Sequence, residues 1–515
     1  MRQLHTPNWR HQVAATITVF LVPAGAFAQR GGGQSGAQAT PIPLSGRTNQ
    51  GGSVVATQAP VGGAVTSVNT VNPTVQVQGP FTGSAGGRRP FSGVLSLAEA
   101  IQRGLDFNLG ALNLAQAVKQ SRGQRTVARS SLLPNVNADL TETRQQVNLA
   151  AMGVRFSSPI PGFVFPTIVG PFNNIDLRAR VSQTVVDLTA WNNYRAAAEA
   201  VRANELTVED ARDLLVLAVG GAYLQAVAAR ARVDSGRAQL ETANALYQQN
   251  VQRRAVGLVA QVDVGRSQVQ MLTQQQRLIS VQNDLAKQKI NLARMIGLPP
   301  TDQYELAGDV AFAAAPSLGL DEALRQARDQ RADRKAAEAQ VRAAERALSA
   351  ARAERLPSVN VSADYGTIGT TLSEARGTFA VVGTVRVPLW QGGRTEGQIQ
   401  QAEAALAERR AERDDLDGQI EGDIRKAYLD LQAAASQVDV AQQNRQVTRE
   451  TLDLTRQRFE AGVSDNVEVV QAQESVAAAE LDYINGVFAH NLAKLSLARA
   501  IGQASERLTD FLKGP

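Results

Sequence analysis

Two kinds of hydrophobic pattern alternate along most of the chain. Long stretches repeat apolar residues at steps of three, four or seven, as at Met271, Leu278 and Leu285. This period is typical of helices that pack in coiled coils. Shorter stretches alternate polar and apolar residues one by one, as in 135–141 and 358–365. That alternation indicates β-strands with two different faces. The chain is therefore predicted to be mainly α-helical with a small β part.

The pattern occurs twice in the same order. Residues 95–101 resemble 318–324, and the segment around Leu133-Pro134-Asn135 resembles the one around Leu356-Pro357-Ser358. Repetition of this kind indicates an internal duplication. We therefore predict two repeats, the first at 95–297 and the second at 318–502, followed by a tail at 503–515.

Each predicted repeat contains three helices. The first helix (98–133, 321–356) ends before a proline, because proline cannot continue the hydrogen-bond ladder. A pair of strands follows, and then a helix of about 68 residues (188–256, 395–461) that spans about 100 Å at 1.5 Å per residue. A glycine turn leads to the last helix (263–296, 468–501). Such lengths predict a long rod or tube; periodicity alone fits an antiparallel coiled-coil rod without a channel equally well.

The predicted strands (135–141, 177–182, 358–365 and 379–389) each have one polar and one apolar face. This fits strands between lipid and a water-filled lumen. Residues expected to face the lumen are Arg178, Arg180, Asp364 and Arg386, and those expected to face lipid are Leu177, Val181, Val361 and Val385. Four strands are too few to close a barrel, since known bacterial barrels start at about eight. Closure therefore requires two copies of the chain or three.

Two segments have compositions that argue against regular structure. Residues 29–90 are rich in Gly, Ser, Thr, Gln and Pro and are predicted to be a flexible linker. Residues 148–173 contain four prolines and four phenylalanines and are predicted to form a long loop at the rim of the strands. That loop is either a surface lid or simple irregular structure.

The N-terminus predicts export. Arg2 and Arg10 precede an apolar stretch at 13–22, and the small residues around Phe27 form a cleavage site, so 1–28 is predicted to be a signal peptide. If the mature protein enters a membrane, it must do so as a closed β-barrel, because no later stretch of about 18 consecutive residues is apolar.

Composition excludes several kinds of chemistry. The chain has no cysteine and three histidines, of which His490 alone follows the predicted signal peptide. Disulfides, thiolate metal sites and multi-histidine sites are therefore excluded, and we predict no catalytic residues, no metal and no cofactor. The net charge is +5, and the signs alternate along the helices, as in 403–413. Mixed signs indicate solvated helix faces, so we predict no nucleic-acid partner.

Several motifs, in order, resemble the TolC-type outer membrane efflux proteins. They are the duplicated Leu-x-Leu-x-Glu-Ala start, the Leu-Leu-Pro-Asn-Val junction at 132–136, the turns at 256–260 and 461–463, and Val-Pro-Leu-Trp-Gln-Gly-Gly-Arg at 387–394. The resemblance covers about 95–502. It implies a homotrimer in the outer membrane, with a twelve-stranded transmembrane β-barrel and an α-barrel of twelve helices that crosses the periplasm.

The resemblance also implies partners and a function. The turns, with Gly257, Leu258, Gly462 and Val463, are expected to dock a periplasmic adaptor protein coupled to an inner-membrane pump. The chain would then be the passive outer-membrane conduit of a tripartite efflux or type I secretion system, and not an enzyme. The competing interpretation is an exported periplasmic coiled-coil structural or adaptor protein without a pore.

Acidic residues near the turns form a candidate aperture. Asp263 and Glu468 each follow a turn glycine by six residues. Of two acidic positions that ring the aperture in the family, the first matches Glu468 and the second is Gln471. The family often has an arginine at the position of Ser464, which holds the tip closed, so that latch is expected to be weaker or differently made here. The alternative role for the acidic residues is to complement the dipole at a helix start.

Overall fold

A computed structural model of the chain describes residues 54–60, 71–85, 89–153, 166–308, 312–314 and 318–505. The predicted signal peptide at 1–28 lies outside these residues, as does most of the predicted tail. Two antiparallel strands come first, β1 (Val54–Pro60) and β2 (Val71–Val77). A 3-10 helix, Gly79–Thr82, follows, and its Phe81 is buried in the core. The prediction of a flexible linker over 29–90 is therefore wrong at 54–60 and 71–82, where the structure has two strands and a 3-10 helix.

The remaining elements follow one another in the same order twice. After β3 (Gly93–Leu95), the first set consists of α1 (Leu97–Phe107), α2 (Leu109–Ser130), β4 (Asn135–Asn148), β5 (Ile168–Val186), α3 (Leu188–Ala255) and α4 (Gln261–Met295). After β6 (Tyr304–Leu306), the second set consists of α5 (Leu320–Gln330), α6 (Ala332–Ala353), β7 (Ser358–Gly369), β8 (Arg376–Arg386), α7 (Arg394–Glu460) and α8 (Asn466–Ile501).

The first helix of each predicted repeat is broken, which corrects the sequence prediction. Asn108 and Arg331 have extended backbone angles, with ψ of 133° and 123°, and each separates two helices. The Asn108 side chain accepts a hydrogen bond from Gly110 N at 2.9 Å and donates one to the carbonyl oxygen of Phe81 at 2.8 Å. The buried Arg331 guanidinium donates to the carbonyl oxygen of Ala500 at 3.2 Å. These tertiary contacts compensate for the backbone hydrogen bonds lost at the breaks.

The four long strands form one antiparallel sheet in the order β4-β5-β7-β8. Strand β5 begins at Ile168, so the predicted irregular loop at 148–173 is wrong at its C-terminal end. Pro171 is tolerated there because the register of β4 and β5 shifts between Gln145 and Val147, beside it, and a proline fits at such a bulge. The last strand ends at Arg386, three residues earlier than predicted.

The main hydrophobic core lies where the helices and the short parallel pair β3–β6 meet. The buried Tyr223 hydroxyl of α3 lies 3.0 Å from the carbonyl oxygens of both Leu95 and Ala307. Helix α3 contains an 18-residue stretch of mean hydropathy 1.6, and 72% of that stretch is buried inside the protein. This stretch is therefore a core segment of the fold.

The connection between the two sets of elements lies against α8. The Phe312 ring is 4.7 Å from the His490 ring, and the fully buried Lys494 donates a hydrogen bond to the carbonyl oxygen of Ala313. Burial lowers the pKa of Lys494 to about 8. Burial, together with the nearby Lys494, lowers the pKa of His490 to about 4.

The buried Lys494 should make stability depend on pH. Its pKa in the fold, about 8, is below that of an unfolded lysine, about 10.4. Between these values the unfolded chain binds more protons, so this residue makes the fold more stable as pH rises from about 8 to 10. We expect the melting temperature of the protein, followed by its helical circular dichroism signal, to rise by more between pH 7.5 and 9.5 in the wild type than in Lys494→Met. An equal gain in both proteins would contradict this assignment.

Candidate functional site

The sheet carries a polar face that contains all four predicted lumen residues. Directly paired residues of antiparallel strands lie on the same face. Arg180 pairs with both Asn137 and Asp364. Arg386 pairs with Ser358, which is an even number of residues before Asp364 on β7 and therefore lies on the same face. Arg178 lies two residues before Arg180. All four predicted positions therefore share one side of the sheet.

Ion pairs link strands across this face. Arg178 Nη1 lies 3.1 Å from Oδ1 of Asp364, and its Nε lies 2.7 Å from Oδ1 of Asp176. Arg180 Nη1 lies 3.5 Å from Oδ2 of Asp139. The structure thus brings Arg178 and Asp364 into direct contact, and the charges on this face are largely balanced.

The opposite face is mostly apolar and exposed, apart from Glu142 and Arg144 towards the end of β4. It carries the predicted lipid-facing residues, and register adds the following exposed side chains: Val136, Leu140, Tyr365, Phe379 and Val381. Within the described chain, β4 and β8 each have one edge that no other strand pairs. A sheet with two open edges and an uncovered apolar face is incomplete by itself.

The two turns that join the long helices have the same geometry. Gly257 and Gly462 have φ of +78° and +74°, a left-handed conformation that favours glycine at the end of a helix. The next residues, Leu258 and Val463, each donate a backbone hydrogen bond of 2.9 Å to a carbonyl five residues back. Their side chains are exposed. The two turns therefore present small apolar surfaces of the same kind.

Buried polar contacts join the two helical hairpins near these turns. The Arg253 guanidinium lies 4.7 Å from the centre of the Phe459 ring and donates to the carbonyl oxygen of that residue at 3.3 Å. Asn250 donates to Asn466 Oδ1 at 3.3 Å, and Asn466 donates to the carbonyl oxygen of Asp263 at 3.2 Å. This network was not predicted from the sequence, where its one signal is asparagine on an otherwise apolar helix seam.

The two acidic residues of the predicted aperture occupy equivalent places in their helices, but each contacts a different kind of side chain. Asp263 is the third residue of α4, and its Oδ1 lies 3.5 Å from Nη1 of Arg266. Glu468 is the third residue of α8, and its Oε2 accepts a hydrogen bond of 2.6 Å from Ser464 Oγ. Gln471 is exposed one turn further on. Both acidic residues lie in a first helical turn, so the helix-dipole role and the aperture role both fit the geometry of one chain.

Helices α4 and α7 carry exposed apolar residues that the sequence analysis did not single out. On α7, Val440, Val447 and Leu454 recur every seven residues and are 49%, 59% and 61% exposed. On α4, two exposed apolar pairs have the same spacing of seven, Val262 with Val269 and Leu272 with Ile279. A heptad row in water is unfavourable, so these helices have the character of an unfilled coiled-coil seam.

Two pairs of oppositely charged side chains lie in the interior of the helical part. Asp210 of α3 pairs with Arg499 of α8, and Arg331 pairs with Asp333 at 2.6 Å. Burial raises the pKa of Asp210 to about 6, although Arg499 opposes the shift. Among the described residues, no group of three or more His, Asp and Glu side chains is placed to hold a metal ion.

Comparison with known proteins identifies the family. The family model "Outer membrane efflux protein" matches 102–298 and 323–503, most of the chain. Outer membrane protein OprJ of Pseudomonas aeruginosa is 26% identical over 79% of this chain and 84% of that protein. Toluene efflux pump outer membrane protein TtgF of Pseudomonas putida is 25% identical over 79% and 82%.

Solved structures share the fold. The CmeC outer membrane channel of Campylobacter jejuni has a TM-score of 0.69 at 17% identity, over 81% of this chain and 89% of that one. The outer membrane protein VceC of Vibrio cholerae has a TM-score of 0.68 at 21% identity, over 80% and 97%. The resemblance and the outer-membrane location predicted from the sequence are confirmed. The chain belongs to the outer membrane efflux protein family and is an outer-membrane efflux channel protein of the TolC type.

Proposed function

We propose that three copies of this chain form a passive conduit across the outer membrane and the periplasm. The conduit serves a tripartite efflux or type I secretion system, together with a periplasmic adaptor protein and an inner-membrane pump that supplies the energy. The observation that carries this proposal is the four-stranded sheet, with one charged face, one exposed apolar face and two unpaired edges. Such a sheet becomes stable when copies close it into a barrel in lipid.

The number of copies follows from the strands and the family resemblance. Two chains would supply eight strands and three would supply twelve; the resemblance to TolC-type proteins favours twelve. The exposed rows on α4 and α7 support the same assembly, because a neighbouring copy would bury them in a continuous α-barrel. The two equivalent sets of elements, which we attribute to duplication, would then give the assembly pseudo-sixfold character.

The orientation of the sheet follows from the solvent preference of its faces. Arg178, Arg180, Asp364 and Arg386 would line a water-filled lumen, and Leu177, Val181, Val361 and Val385 would contact lipid. Charged side chains on the lipid face of such strands are unfavourable, by about 2–4 kcal/mol for Arg or Lys at the bilayer midplane. The conduit acts without a catalytic group or cofactor of its own.

The far end of the long helices would meet the adaptor. The turns at Gly257 and Gly462 expose Leu258 and Val463 at the ends of the two hairpins. In a trimer these turns form a ring of six similar apolar surfaces. An adaptor with matching apolar positions on its own helical tips would dock there.

The acidic residues beside the turns would favour the passage of cations. In a trimer Asp263 and Glu468 each contribute three carboxylates around one axis, and a narrow acidic ring attracts cations. Glu468→Gln is expected to lower cation selectivity and weaken block by multivalent cations in single-channel recordings. Gln471→Asp is expected to tighten the block. Unchanged selectivity and block with intact trimers would leave Glu468 only its role at the helix start.

Fractionation and mass measurement separate the conduit from an exported coiled-coil protein without a pore. A conduit remains in the outer-membrane pellet and has the mass of three chains in mild detergent. Release with the periplasmic fraction would favour the pore-less protein. A monomer or dimer as the sole folded species would contradict the trimer.

A further inference from the structure

The two most exposed large apolar side chains of the described residues are neighbours in the sequence. Leu389 is 92% exposed and Trp390 is 88% exposed. They follow the end of β8 at Arg386 and precede Gly392 and Gly393, whose φ of +60° and +83° turn the chain into α7. Large apolar side chains at such a corner, without cover from their own chain, indicate a surface that contacts an apolar partner.

This corner continues the apolar face of the sheet. Val385 lies on that face, where it pairs with Val359, and Val387 and Leu389 follow it at alternating positions. The side chains of all three alternating residues are exposed. The unpaired edges of β4 and β8 would join neighbouring chains through main-chain hydrogen bonds, which leaves the faces of the strands free. Lipid is therefore a better partner for the corner than a second copy of this chain.

The other end of the apolar face has a pair of exposed rings. Tyr365 pairs directly with Phe379, and both side chains are exposed. On β4 the same level of the sheet is occupied by Ala138, and Glu142 lies four residues beyond it, on the side away from Leu389. Charged side chains on a lipid-facing strand are tolerated near the membrane interfaces but not at the midplane. The apolar band therefore ends close to the two rings.

The separation of these two ends matches the thickness of a bilayer. Leu389 is ten residues after Phe379, and at about 3.3 Å per residue this segment spans at most about 33 Å. Strands of membrane barrels tilt by about 35–45°, so the segment covers about 25 Å along the membrane normal. The apolar band of such barrels is itself about 25 Å tall. The corner and the two rings are therefore placed to meet opposite interfaces of one bilayer.

Charged residues begin directly after the corner. Arg394, the first residue of α7, lies 3.7 Å from Glu354. Glu396 accepts a hydrogen bond of 2.5 Å from Arg355, and both side chains are exposed. Such groups belong on the water side of a membrane boundary. Trp390 thus lies between an apolar strand face and charged helices, where tryptophan is enriched because its ring is apolar and its N–H needs a hydrogen-bond partner.

We infer that Leu389 and Trp390 anchor the protein in the headgroup region of the periplasmic phospholipid leaflet. Leu389 contacts the acyl chains, and the indole N–H of Trp390 donates to an ester or phosphate oxygen of the lipid. Together with Tyr365 and Phe379 at the opposite interface, this anchor sets the depth of the sheet and the level at which the long helices leave the membrane. The inference rests on the proposed placement of the sheet in lipid.

Fluorescence quenching by labelled lipids tests the anchor, because the chain after the predicted signal peptide has two tryptophans. In Trp191→Phe protein, Trp390 is the remaining one. The purified assembly is reconstituted in phosphatidylcholine vesicles whose acyl chains are brominated either near the headgroup or near the chain end. We expect the label near the headgroup to quench Trp390 at least about twofold more strongly than the deep label. Equal or stronger quenching by the deep label, or no quenching by either, would overturn the inference.

The matched control places an indole in the middle of the apolar face. Val385→Trp, combined with Trp191→Phe and Trp390→Phe, is expected to show the opposite order, with stronger quenching by the deep label. If this control is quenched and Trp390 is not, the sheet lies in lipid and the anchor alone is wrong. If neither is quenched, the sheet does not enter lipid, and the proposed conduit fails together with the anchor.

Discussion

Val361→Arg is expected to remove nearly all assembled protein from the outer membrane, whereas Ser362→Arg is expected to leave most of it. Val361 lies on the apolar face of the sheet, opposite Gln183 and Gly383, and Ser362 lies on the charged face. An arginine on a lipid-facing strand position costs about 2–4 kcal/mol near the bilayer midplane. Three copies would raise this free-energy cost to roughly 6–12 kcal/mol per trimer, which is comparable to the whole free energy of unfolding of many proteins.

The two substitutions form a matched pair, since they introduce the same side chain at adjacent positions of one strand. The measurement is the amount of oligomer in outer-membrane fractions, seen as a slow band on gels of unheated samples. Equal losses from the two variants would show that the faces are assigned incorrectly.

Val447→Glu is expected to convert the trimer into monomers. Val447 lies in the middle of the exposed heptad row of α7, which the proposed assembly buries against a neighbouring chain. Burial of an unpaired carboxylate costs several kcal/mol, and the symmetric assembly meets this cost three times. Mass measurement in mild detergent gives the proportion of trimer.

The matched control for this substitution is Gln442→Glu. Gln442 is also exposed on α7, but five positions along a helix rotate a side chain by about 140° away from the row. Gln442→Glu therefore introduces the same charge outside the proposed interface between chains. A trimer that survives Val447→Glu as well as it survives Gln442→Glu would place the subunit interface elsewhere.

The long helices and the faces of the strands could be predicted because the information is local. Heptad spacing and the glycines at 257 and 462 predicted the two long helices to within one residue at each end. Alternation predicted which side chains share a face of the sheet, as the register of Arg180 and Asp364 now shows.

The errors arise where tertiary contacts override local pattern. A single extended residue at Asn108 or Arg331 breaks a helix without disturbing the spacing of apolar positions, so the sequence predicted one continuous helix. Strand β5 accepts Pro171 because a bulge there places two residues of β5 opposite one residue of β4. The hairpin of β1 and β2 has too little alternation to separate it from a linker.

Contacts between residues far apart in the sequence could not be predicted either. Asn250 and Asn466 meet near the turns although 216 residues separate them. The exposed rows on α4 and α7 depend on which helices become neighbours. Periodicity identifies a helix face that needs a partner, but the choice of partner is made by packing in three dimensions.

Single-channel current is the most direct test of the proposal that this protein is a conduit. The purified oligomer would be inserted into a planar lipid bilayer, with its trimeric mass established beforehand in the same detergent. A conduit is expected to give discrete current steps of uniform size, which Val447→Glu protein fails to produce. Trimers that insert into the bilayer and yet carry no current at any applied voltage would show that the protein is not a conduit.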